Sequence, residues 1–269
     1  MNIDEHLTQT LSQLEKLYQA MDHAAGPVHV GDVGQSRQFR HENCTDALAC
    51  YLKGVKAIST LNACVVLLRV GHVQEIGALC RMVDDFCNEI LFLVVPVTDD
   101  KVSNDQILFR KNFYQEEFDR PSDPLRSAQK RNPVVTKDIF STFGKFAKEV
   151  LNPSDAQELV RTVHQYFSGY VHGAYPQIME MYGGSPPHFH MSGMLGTPLI
   201  DYWRNQLITY VARLIMASVF VTKKLGMHEQ EAPIQALLEE FRECTGIKHE
   251  QKPSEMLKQY KQQCKTQIG

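Results

Sequence analysis

Apolar residues recur at steps of three and four along almost the whole chain, and that spacing belongs to amphipathic helices. Between about residues 37 and 70 they fall at Ala47, Tyr51, Val55, Ile58, Leu61, Val65 and Leu68. Gly71 punctuates the run. The next, 72–95, places Ile76, Leu79, Cys80, Val83, Cys87, Ile90 and Val94 on one face until Pro96 stops it. Further helices are predicted over 4–22, 104–119, 136–150, 154–180 (with Pro176 as a kink), 199–225 and 232–244. No strand pair, hairpin or fixed-period repeat is signalled. The expected fold is therefore all-α: a single-domain helical bundle with long central helices. Within it, 1–36 is an N-terminal helix and linker, 37–245 the bundle, and 246–269 a polar tail rich in lysine.

Two apolar runs raise the question of a membrane. "ILFLVVPV" is too short to span one, and "LITYVARLIMASVFV" is interrupted by Arg213, so both are read as core helices. A hydrophobic share of 43% with 22% charged residues fits a soluble protein. The net charge of −3 excludes a global basic field of the kind that draws in nucleic acid, though not a local patch. The seven cysteines form no C-x-x-C pair, and several lie inside apolar stripes. That pattern points to free thiols in a reducing compartment rather than to disulfides or a zinc knuckle. The polar, acidic start "MNIDEHLTQTLSQ" does not read as a signal peptide. The expected location is the cytoplasm, with no membrane contact.

The stretch "HQYFSGYVHGAYPQ", 164–177, concentrates the chemistry. On a helical wheel Val160, Val163, Phe167, Val171, Ala174 and Ile178 share an apolar stripe. Arg161, Gln165, Ser168, His172 and Tyr175 fall on a polar strip at its border, and Gly169 and Gly173 lie on the flank beyond. A histidine bonded to a hydroxyl at a helix crossing needs no function. Held by Ser168, the same histidine also suits proton transfer or anion binding near neutral pH.

The pattern "YFSGYVHG", preceded by "LCRMVDDFCNEILFLV", resembles bacterial all-helical proteins of the HEPN superfamily (higher eukaryotes and prokaryotes nucleotide-binding domains). The resemblance covers about residues 40 to 225. It implies a dimer that contacts RNA or nucleotide, since many members are metal-independent ribonucleases of toxin–antitoxin and phage-defence systems. Their motif is Arg-polar-x-x-x-His. His172 matches the histidine and Ser168 the polar residue, whereas Phe167 stands where the arginine belongs. Two expectations follow: a ribonuclease that takes its guanidinium from elsewhere, or a non-catalytic interaction module that has lost it.

Arg81 is the candidate replacement. In "RMVDDFCNE", Arg81, Asp85 and Glu89 stand one turn apart off the apolar face, with Asp84 and Asn88 nearer its edge. A solvated face with one intrahelical ion pair accounts for this pattern. In the catalytic version Arg81 or Arg161 stabilises phosphate charge while Ser168 orients His172. Arg161, eleven residues from His172 and about 16 Å away along the axis, is expected to serve only from a second subunit. A divalent ion on the carboxylates, as in prenyl-transferring enzymes, wants an acid where Asn88 stands. The loop "YGGSPPHFHMSGMLGTP" offers His188, His190, Met191 and Met194 at chelating spacing, without an acid or cysteine nearby. It is read as a cover over a helix end. No metal and no cofactor are assigned. Arg126, Lys130 and Arg131 form the basic patch expected to attract RNA phosphates.

Overall fold

The computed structural model describes residues 2–33, 36–95, 102–129, 138–142 and 152–247. It is mostly helical, with long packed helices at its centre. Helix α1 (Ile3–Met21) begins in a capping box, in which the Asn2 side chain accepts from Asp4 N–H and Glu5 reaches back to Asn2 N–H. Helix α2 (Asp46–Val70) starts at Thr45, whose hydroxyl accepts from Leu48 N–H, and ends at Gly71 in the left-handed conformation. Helices α3 (Val73–Val94) and α4 (Asn104–Tyr114) follow, then α5 (Pro153–His172), the short α6 (Tyr175–Met179), α7 (Leu199–Leu225) and α8 (Glu231–Thr245).

Helices α2, α3 and α7 pack mutually at the centre. Helix α5 lies against α3, and α8 against α7 and α1. The core runs through Leu61 and Cys64 of α2, Ile76 and Val83 of α3, and Trp203, Leu207 and Leu214 of α7, all fully buried. Leu7, Leu11 and Leu14 carry α1 into that same core. Helices α2 and α7 are long and apolar enough to cross a membrane, yet 56% and 61% of their apolar windows are buried inside the bundle.

Helix α4 stops at Tyr114, five residues short of the expected end, and the structure departs from the sequence expectation in three further places. Residues 28–33 and 36–41, read as a break and a helix start, pair as antiparallel strands β1 (Val28–Val33) and β2 (Ser36–His41), with Val30 opposite Phe39. Val28, Val30 and Phe39 are exposed, so this hairpin has no buried face to announce it. Arg40 ties it to Glu116 through bonds of 3.0 and 2.8 Å. A second, smaller hairpin pairs β3 (Tyr182–Gly183) with β4 (His188–Phe189). Lastly, the helix expected to run to 180 stops at His172. Gly173, at φ +59°, closes it, and Pro176 opens α6 instead of kinking a continuing helix.

The six cysteines among the described residues are free, and Cys50, Cys64, Cys80 and Cys87 are buried. Cys264 lies outside the described residues.

Candidate functional site

Helix α5 is capped by Asn152, whose side chain accepts from Ser154 N–H, with Pro153 at its first position. Its apolar face sends Ala156, Val160 and Phe167 into the bundle. The polar strip beside that face lines an open groove of ≈ 480 Å³. Arg161, His164, Gln165, Ser168 and His172 form one wall, and Phe140, Gly169 and Ala174 complete it. The structure thus brings Ser168 and His172 to the same groove. His172 is exposed there, in the last turn of α5, and no hydrogen bond links it to Ser168. It is not a buried structural histidine.

The arginine position of the motif is closed to this groove. Phe167 is 4% exposed and packs against Trp203, Tyr210 and Tyr166 at ring separations of 6.1, 5.6 and 5.2 Å. Arg81 does not reach His172 either. From α3 its Nη2 meets Nε2 of His164, while Nη1 pairs with Asp85 one turn along. A guanidinium has no acceptor, so Nε2 of His164 must accept and the ring proton sits on Nδ1. Burial, and then the Arg81 charge, push the His164 pKa below its ordinary value, against the opposing pull of Asp85 and Asp84. Asp85 is shifted upward, mainly by burial, with Arg81 pulling it back. Phe140 stacks edge-on against His164 at 5.2 Å.

His164 went unremarked in the sequence, although it opens the quoted stretch. Its signal was the spacing: one turn before Ser168, two turns before His172, and on the strip already marked by Arg161 and Gln165. Arg161 lines the same groove, but eleven residues of one helix still separate it from His172 by about 16 Å. It is held by Glu158 and Gln165 on the same helix.

The acidic helix is not a solvated face with one ion pair. Arg81–Asp85 is the expected intrahelical pair, but Asp84 is fully buried and accepts from Arg213 of α7. The other Nη of Arg213 donates to Asn88 Oδ1 at 2.7 Å. Glu89 accepts from Lys53 of α2 at 2.5 Å, and that ammonium lies 4.7 Å from the Phe113 ring and 5.2 Å from Phe109. Each of these three carboxylates is taken by a cation. Among the described residues no group of three or more histidines, cysteines and acids is placed to hold a metal ion.

In the basic patch, Arg126 closes a single 3₁₀ turn, with its side chain 82% exposed and 3.9 Å from Asp123. Lys130 and Arg131 lie outside the described residues, so the patch is not seen whole. The loop 182–198 covers the end of α2, where Met194 N–H donates to Gly71 O at 2.8 Å and the Met194 side chain enters the core. Gly193 is required at that crossing, because a Cβ there would lie 2.4 Å from Val70 O.

No protein-family model, curated protein or solved structure matches this chain.

Proposed function

We propose that the protein is a helical binding module for a phosphate-bearing ligand, RNA or nucleotide, and that the α5 groove is where it binds. The observation that carries this proposal is the alignment of Arg161, His164, Ser168 and His172 along one open wall. From Arg161 to His172 that wall runs about 16 Å, enough for four or five stacked nucleotides at about 3.4 Å each. Arg161, once turned from Glu158 toward a ligand, supplies a planar fork for phosphate. The helix dipole gives the groove a direction. Its C-terminal end, at His172, favours hydrogen-bond donors such as ribose hydroxyls over a bare phosphate.

The same geometry argues against cleavage. Metal-free hydrolysis of RNA needs an acid, a base and a cation at one phosphate. His164 and His172 are about 12 Å apart along the helix, and the lone pair of His164 is already held by Arg81. Phe167, in the core, offers no charge. We therefore favour the non-catalytic member of the two expectations. The resemblance to HEPN proteins, the reducing cytoplasmic setting and any dimer remain parts of this proposal.

The test is fluorescence anisotropy with a labelled single-stranded RNA of eight nucleotides at low salt. Arg161→Ala should weaken binding at least about tenfold, the worth of one charge-assisted hydrogen bond, and His172→Ala about fivefold, that of a neutral one, with the melting temperature unchanged in both. The RNA should remain intact. Equal affinity for wild type and both variants would defeat the proposal. Cleavage abolished by His172→Ala would replace it with the nuclease.

A further inference from the structure

The small hairpin in the 182–198 loop does something that spacing alone does not show. His188 lies in β4 and His190 just beyond it, and the two rings meet on one side of the chain. Their ring centroids are 4.4 Å apart, with the planes inclined by 47°. Nδ1 of His188 lies 3.0 Å from Pro186 O. A carbonyl only accepts, so Nδ1 carries the proton and Nε2 keeps its lone pair. A backbone carbonyl holding the far nitrogen is the usual outer partner of a metal-ligating histidine. Gly184, at φ +91°, lies against both rings. A Cβ there would sit 3.2 Å from His188 Cε1 and 3.5 Å from His190 Nε2, so the glycine gives the imidazoles their room. The backbone is anchored next to the pair, since His190 N–H donates to Met181 O at 2.8 Å.

We propose that His188 and His190 form a two-imidazole site for a borderline divalent transition metal, of the class of Cu²⁺, Ni²⁺ or Zn²⁺. Imidazole suits these ions, whereas Mg²⁺ and Ca²⁺ require oxygen ligands that this pair does not provide. Two protein nitrogens leave the remaining positions to water or to an exogenous ligand, so the site is open and of modest affinity. Met191, next in sequence and 78% exposed, adds a thioether that only a softer ion such as Cu⁺ would recruit. This site is independent of the α5 groove, and either proposal can fail without the other.

The experiment is calorimetric titration of the full chain with Cu²⁺ alone, after alkylation of accessible thiols so that Cys44 and Cys244 do not compete. Paramagnetic resonance of the one-equivalent sample reports whether nitrogen is bound. The expected result is one equivalent with nitrogen ligation, weakened at least about tenfold by either His188→Ala or His190→Ala. His23→Ala, a change at an exposed histidine elsewhere, should leave the binding as it was. Circular dichroism checks that each variant is folded. Equal binding by wild type and both loop variants would mean an adventitious ion only, and would overturn the proposal. So would the absence of nitrogen ligation at one equivalent.

Discussion

At the scale of single residues, the contact that most shapes the groove is the one between Arg81 and His164. It fixes a tautomer, adds to burial in lowering the His164 pKa and takes Arg81 out of reach of His172. It also has a thermodynamic signature. The folded-state pKa of His164 lies below its ordinary value of 6.5, so on acidification the unfolded chain takes up a proton that the native state refuses. Stability from this group is fully present above pH 6.5 and is lost as pH falls below it. Asp85, Glu89 and Glu180 act oppositely: burial raises their pKa values, so acid relieves a cost the native state carries. The two effects separate in a difference measurement. Between pH 7.5 and 5.5, wild type should lose stability relative to His164→Gln, by a fraction of the limiting ~1.4 kcal/mol per pH unit for one proton. Parallel stability curves from denaturant melts would show that folding does not lower the His164 pKa.

At the scale of elements, the apolar periodicity gave away most helices and few of their contacts. Helix α7 spans Leu199–Leu225, the range its apolar spacing predicts, because both ends are marked: Pro198 before it and Gly226 after it. The β1–β2 hairpin left no such trace, since its apolar residues face outward and alternate over only a few positions. The polar strip of α5 was legible in the same way as the helices. Its neighbours were not, because the register of one helix against another is invisible in the periodicity of either. Arg213 makes the point. Inside an apolar run it looked like a reason against a membrane span, yet it is the bond between α7 and α3, meeting Asp84 and Asn88. Removing one partner should be worse than removing both. Arg213→Met should cost about 3 kcal/mol, since it strands a fully buried carboxylate. Adding Asp84→Leu should restore part of that loss. If instead the two costs simply add in urea melts, the pair is not coupled and the α3–α7 crossing rests on packing alone.

On the scale of the whole molecule, a tightly packed centre of α2, α3 and α7 presents α5 on its flank with one face buried and one strip open. Ion pairs tie α3 to α2 and α7, and the loop over Gly71 closes the end of α2 while His172 stays exposed. On the proposed function, that division leaves stability to the central helices and binding to a single outer one. Side-chain resonances of histidine test it most directly. Carbon-detected spectra of the eleven histidines should be recorded while the eight-nucleotide RNA is added to the full chain. His164 and His172 should shift together and saturate, while His188 and His190 stay where they are. If His164 and His172 do not move as RNA is bound, or all the histidines drift equally, the groove is not the binding site.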